Sequence, residues 1–212
     1  MKSLVNAIHL CALLAYLLIS PAFAGFDEGI AAYQANDLPL AYKEFRAAAE
    51  AGHVDSQYNL GLMYEKGIGV EQDETEAVTW YTKAAEQGSA FAQYNLAVLY
   101  ENGRGTAVDF IKANQWYRKA SVQGDALAIG NLGMLYVRGQ GVDVNLIGGV
   151  ALLLLSATID SSNGNNARQN LASIRGLSTE MIDQARGLFT EMGSAKNMLE
   201  PFDQYIKQIE TK

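Results

Sequence analysis

Residues 57–69 read QYNLGLMYEKGIG, residues 93–105 read QYNLAVLYENGRG, and residues 129–141 read IGNLGMLYVRGQG. The three phrases begin 36 residues apart. Set against each other, 52–87 and 88–123 agree at 16 of 36 positions. Leu60, Leu96 and Leu132 coincide, as do Gly61, Ala97 and Gly133, and then Tyr64, Tyr100 and Tyr136. Gly67, Gly103 and Gly139 follow, with Gly69, Gly105 and Gly141 two residues on. Ala77, Ala113 and Gly149 come later, and then Trp80 with Trp116. A fixed period of about 20–50 residues is the mark of a solenoid, whose units bury their apolar faces only by stacking on one another.

Each unit reads as two helices. In the first, Leu60 and Tyr64 sit four apart and share a face, and the small residue at Gly61, Ala97 or Gly133 lets a neighbouring helix approach. That helix stops at Gly67, Gly103 or Gly139, because glycine takes the left-handed conformation without a Cβ clash. The second helix begins at Asp73, Asp109 or Asn145, all good N-caps one period apart; Asp73 is followed at three residues by Glu76, in the manner of a capping box. Ala77, Trp80, Tyr81 and Ala84 form an i, i+3, i+4, i+7 stripe, and the helix ends at Gly88, the counterpart of Gly52 and Gly124. Trp80 and Trp116 are expected to be buried between repeats, with Trp116→Ala the more disruptive loss because an atypical repeat follows it.

The segments SQYNLGLMYEKGIG with AVTWYTKAA, and AQYNLAVLYENGRG with ANQWYRKAS, resemble the Sel-one-like repeat, a relative of the tetratricopeptide repeat. The resemblance implies an all-α chain, an α-α superhelix (solenoid) of about four helix hairpins with a C-terminal helical cap. The repeats run over about 26–51, 52–87, 88–123 and 124–159, within an array spanning 25–160. The edge units depart from the pattern. Leu152 and Leu153 replace the Trp-Tyr pair in the last unit. The opening unit has Glu44-Phe45 there, yet keeps an apolar face in Ala41, Phe45, Ala48 and Ala49, so it too reads as a hairpin. Atypical terminal repeats are expected where they cap the core.

Beyond residue 160 the period is lost, and 161–212 reads as the cap. SSNGNN at 161–166 is a loop. Short helices follow over Ala167 to Ile174, from Ser178 to Met192, and from Glu200 to Ile209, the last with Pro201 in its first turn. The apolar run at 147–157 is too short to span a bilayer and reads as a helix buried between cap and array. At the other end, residues 1–24 carry Lys2, an apolar run from Leu10 to Ile19, and Ala22-Phe23-Ala24 before Gly25. This is the pattern of a secretory signal peptide, so the protein is expected to be exported, either periplasmic or secreted. The only cysteine, Cys11, lies within it.

Removing Lys2 with the signal leaves 15 basic against 23 acidic residues, a net charge of −8. That balance argues against binding nucleic acid or an anionic membrane surface, and no stable membrane insertion is expected after signal removal. The mature chain keeps one histidine, His53, whose counterparts one and two periods on are the capping residues Ser89 and Asp125. It therefore reads as a helix-start residue, not a base or ligand. The Gly-x-Gly triplets lack the preceding strand of a phosphate loop. The acidic cluster at 71–76 reads as a helix start favoured by the macrodipole. No catalytic residue, metal site or cofactor is implied.

The resemblance implies a protein that binds another protein through the concave face of its solenoid, as an adaptor or scaffold. In tetratricopeptide-like arrays the first helix of each pair lines the groove. That register brings Asp55, Tyr58, Leu62, Glu65 and Lys66 to the groove from one unit, and Phe91, Tyr94, Val98, Glu101 and Asn102 from the next. The last contributes Leu127, Gly130, Met134, Val137 and Arg138. Leu62, Val98 and Met134 make a row apolar in every copy, either a protein-binding strip with a polar rim or core covered by the cap or by the next helix pair. A competing expectation is a hydrolase acting on cell-wall or β-lactam substrates, since some cysteine-rich secreted members of the family are associated with penicillin binding. The mature chain has none of their paired cysteines. Protein recovered from the exported fraction should begin at Gly25 on N-terminal sequencing and melt at the same temperature with and without reductant; a retained Met1 would remove the signal peptide from the account.

Overall fold

The computed structural model describes residues 21–162 and 164–211, with side chains from residue 25 onward. Residues 1–20 of the expected signal peptide lie outside the described residues. Among the described residues there are eleven helices and no strand. They fall into two compact units divided after Gln87.

The first unit holds two helix hairpins. Helix α1 (Pro21–Gln34) and α2 (Leu38–Glu50) form one; α3 (Val54–Lys66) and α4 (Glu74–Glu86) form the other, with α2 packed on α3. The opening hairpin turns at Asn36, the one non-glycine residue at positive φ among those described. Asp37 then caps α2, its side chain accepting from the Leu40 N–H with Pro39 in the first turn. This segment lacks the repeat's diagnostic loop, yet Ala41, Phe45, Ala48 and Ala49 are buried as the apolar stripe required.

The second unit holds hairpins α5 (Ala90–Asn102) with α6 (Phe110–Val122), and α7 (Ala126–Arg138) with α8 (Leu146–Ile159). Three further helices follow: α9 (Ala167–Ser173), α10 (Thr179–Ser194) and α11 (Leu199–Glu210). The bounds match those read from the residues to within one position at nearly every end. The caps explain this accuracy. Asp73, Asp109 and Asn145 each accept from backbone N–H groups two or three residues on, and Gly67, Gly103 and Gly139 close α3, α5 and α7 in the left-handed conformation at φ of 66°, 67° and 67°. Replacing such an N-cap by Ala typically costs about 0.5–2 kcal/mol. His53 is a cap as well: its Nδ1 accepts from the Ser56 N–H at 3.2 Å.

The second glycine of each triplet is fixed by a different constraint. Gly69 and Gly141 also have positive φ, and a Cβ at either would stand 2.6 Å from backbone, Leu38 O and Phe110 C respectively. The loop therefore rests against the first residue of the preceding hairpin's second helix, and only glycine fits there.

Helix α8 is the most enclosed element, with Val150 through Leu153 and Leu155 all buried. It packs on α7, α9, α10 and α11, which accounts for the apolar run: only Thr158 and Ile159 at its end are exposed. No described helix is long and apolar enough to cross a membrane. The cap is tied to the hairpins by Phe202, fully buried with its ring 4.9 Å from that of Tyr136, and by an ion pair between Arg118 and Asp203.

One expectation fails. Trp80 is buried, clustered with Ala49 and Leu60 and flanked by Tyr42 and Tyr64, but Trp116 is only half-buried. Each ring carries a lysine ammonium over it, Lys83 at 3.7 Å and Lys119 at 3.9 Å, so the intra-helical setting is the same in both copies. Burial differs because it is set by what the neighbouring elements bring, which the period does not encode. The ordering of the two losses is accordingly reversed. Trp80→Ala should cost about 3–5 kcal/mol, in the range for a buried aromatic, and Trp116→Ala less; equal shifts in denaturant midpoint for the two variants would contradict this.

Candidate functional site

The hairpin interface sets which side chains face outward from the first helix of each repeat. Gly61 receives the Tyr81 ring so closely that a Cβ would lie 2.7 Å from Cδ1. With that face spent on packing, Leu60, Gly61 and Met63 are buried, while Asp55 and Lys66 are exposed and Tyr58 and Leu62 half-buried. Glu65, placed in the groove by the resemblance, is buried instead, and its carboxylate accepts from the Tyr81 hydroxyl at 2.9 Å.

The same arrangement recurs in the second unit. The Tyr117 hydroxyl donates to Glu101 at 2.6 Å, and Tyr94 lies 6.0 Å from the Tyr117 ring, as Tyr58 lies 5.8 Å from that of Tyr81. Asn131 on α7 donates from Nδ2 to the Tyr117 hydroxyl at 3.0 Å. Burial, with the Glu101 charge second, pushes the Tyr117 phenol well above its ordinary range. Burial and the Asp125 carboxylate also push Tyr94 up, against the opposing Asn131 amide. The outward face of α5 then presents Phe91, 67% exposed, with half-buried Val98 and exposed Asn102. Asn102 turns its amide back to the Val98 carbonyl at 2.8 Å.

The third copy departs from the first two. Gly130 stands where Tyr58 and Tyr94 stand, Val137 replaces the glutamate, and Leu153 replaces the tyrosine. Met134 is buried with Leu153 and Ala167, among partly buried Val137, Leu171 and Ile174. For this copy the apolar row is core beneath the cap, and Met134 is removed from any accessible face, while Gly130, buried as well, borders a small opening. Leu127 remains half-buried and Arg138 exposed. Leu62 and Val98 are left as the partly accessible members of the row, one in each unit.

A cavity of about 90 Å³ opens at Gly130, bounded by Tyr94, Leu127, Asn131 and the loop and helix start at 164–170. Neither the period nor the resemblance points to this loop, since it lies outside the repeats. Asn165 holds it in place, donating to the Ser156 and Asp160 carbonyls at 3.0 and 2.9 Å and accepting from the Ala167 N–H. Among the described residues, no group of three or more His, Cys, Asp or Glu side chains is placed to hold a metal ion.

The Sel1 repeat pattern matches residues 54–89, 90–125 and 126–160, just over half of the chain. Among solved structures, a Sel1 repeat protein from Oxalobacter formigenes is similar, with 28% identity over 86% of this chain and 84% of that one and a TM-score of 0.64. A protective antigen present in uropathogenic Escherichia coli strains, displaying an SLR fold, is 26% identical over 88% of this chain, with a TM-score of 0.50. This chain spans only 48% of the antigen's length. No curated protein matches.

The half-buried Tyr64 phenol gives a pH dependence with a definite sign. Burial, with the Tyr42 hydrogen bond second, raises Tyr64 to about 12, against about 10 in an unfolded chain. A raised folded value means the native state holds the proton more tightly. Its stabilisation is therefore complete below pH about 10 and lost as pH climbs through about 12. Denaturant midpoints should fall steeply over that interval, together with late phenolate absorbance; a midpoint flat from neutral pH to 12 would refute the assignment.

Proposed function

Because this chain belongs to the Sel1 repeat family, we propose that it is an exported adaptor that binds another protein through the outward faces of its repeats' first helices. Sel1 repeats are typically protein-interaction scaffolds without enzymatic activity. The observation that carries the reading is the face of α5. Phe91 is a large apolar residue with 67% of its surface open to water, on the same helix as half-buried Tyr94 and Val98. A solvated helix face is normally polar, and apolar surface with a polar margin is the composition of a protein-binding site. Asp55, Tyr58, Leu62 and Lys66 give α3 a comparable mixture in the first unit. The exported location rests on residues 1–24, and the acidic balance favours a partner with basic or neutral contact residues.

Aromatic residues at the centre of an interface carry a disproportionate share of affinity, which makes Tyr94 and Phe91 the residues to alter. Phe91→Ser, Tyr94→Ala and Val98→Glu should each retain helical circular dichroism and reduce partner recovery from native envelope extracts, with Tyr94→Ala costing about 2 kcal/mol or more in binding. Undiminished recovery by all three folded variants would reject this face.

A further inference from the structure

Resting on the partner-binding reading above, we infer that the cavity beside α7 recognises the backbone of an extended, uncharged segment of the partner, at a point where that segment carries a small residue. The cavity owes its existence to a break in the repeat: Gly130 stands at the position of Tyr58 and Tyr94 and contributes no ring. Its wall is instead rich in carboxamides. Asn131 faces it from α7, and Asn166 and Asn170, four apart, face it from the start of α9.

These three amides differ from Asn165 in what they are already doing. Asn165 is committed to holding the loop. Asn166 precedes α9 at the N-cap position without making a side-chain cap bond, and the Asn170 side chain makes no hydrogen bond within the described protein. Asn131 uses its Nδ2 on the tyrosines, which leaves Oδ1 as an acceptor. A carboxamide offers a donor and an acceptor side by side. A peptide unit needs one of each, whereas a carboxylate accepts only and an ammonium donates only.

Charge selects in the same direction. No Asp, Glu, Lys or Arg is among the lining residues. An incoming carboxylate, whether a side chain or a chain terminus, therefore finds no cationic partner there, and an ammonium finds no anionic one. Size supplies the last constraint. A cavity of about 150 Å³ admits a benzene ring, so one of about 90 Å³ excludes aromatic side chains and admits a backbone bearing Gly, Ala or Ser. Among the lining residues the apolar contact is given by Leu127 and the Tyr94 ring; exposed Phe91 lies on the same helix as Tyr94.

The test pans phage-displayed random peptides against the purified exported protein and measures the selected peptide, synthesised with an amidated C-terminus, by fluorescence anisotropy. The expected consensus lacks Asp and Glu and sets Gly, Ala or Ser beside a large apolar residue, and amidation leaves affinity unchanged. The double variant Asn166→Ala/Asn170→Ala, which removes no hydrogen bond of the fold, should melt as wild type and bind about tenfold more weakly, the equivalent of about 1.4 kcal/mol. Replacing the peptide's amide at the small residue by an ester should cost a comparable factor. Affinity of the double variant within about twofold of wild type, while Phe91→Ser or Tyr94→Ala abolishes binding, would overturn the carboxamide site and leave the α5 face standing. Binding insensitive to every one of these variants would reject the face itself. An acidic consensus, dependence on a free C-terminal carboxylate, or no selected peptide at all would each overturn the proposal.

Discussion

A tyrosine ring packed where the facing helix carries only glycine, or alanine in the next copy, is the contact around which the two central hairpins are built. Tyr81 rests on Gly61, where a Cβ would be 2.7 Å from its edge, and the same ring ends in a hydroxyl that donates to Glu65. The two halves of this contact need each other. The close approach buries Glu65, whose charge would be costly without partners; the tyrosine that demands the approach supplies one of them, beside the Lys66 ammonium at 2.8 Å. Dispersion over the ring and a charge-assisted bond at its end therefore lock the same pair of helices in one register. The second unit repeats the device with Tyr117 and Glu101; there Ala97 takes the place of Gly61, fully buried.

The last hairpin solves the same problem without polarity. Val137 and Leu153 replace the glutamate and the tyrosine, and Gly133 faces Gly149, each placed so that a Cβ would stand under 3 Å from the other's carbonyl oxygen. Backbone packs on backbone, and α8 can be apolar all round. Such a helix must be covered, and α9, α10 and α11 cover it. The terminal cap is thus a consequence of the substitutions in the repeat before it: exchanging the Tyr–Glu bond for an apolar contact created surface that only further helices could shield. Coverage by α9 also buries Met134 and brings the asparagine-bearing loop to Gly130, so the third copy presents a surface unlike the other two.

The consequence for recognition is asymmetry within a repetitive frame. On α5 the apolar positions stay partly open; on α7 they are core, and the accessible chemistry passes to Asn131 and to carboxamides that come from outside the repeat. Similar scaffolding thereby holds different surfaces.

Much of this was legible from the residues alone. The period, the hairpins, the caps at Asp73, Asp109 and Asn145, and the glycine stops all follow from local chemistry: a side-chain oxygen two or three residues from an orphan N–H, or a backbone angle that only glycine adopts freely. These interactions span a handful of residues, so a short stretch of sequence contains both partners. The burial of α8 was legible too, because an apolar run too short for a membrane needs cover both from the cap and from the preceding repeat. Other features joined residues that no local pattern relates. Trp80 and Trp116 occupy equivalent positions and have equivalent lysines, yet only one is enclosed. Met134 matches Leu62 and Val98 in register and differs from them in burial, because Ala167 and its helix return over it from beyond the last repeat. The cavity at Gly130 joins α5 and α7, which the period relates, to a loop beyond the last repeat, which it does not. Burial is a property of everything that surrounds a side chain, and for a residue at the edge of a repeat those surroundings come from distant chain, which only the tertiary structure brings into place.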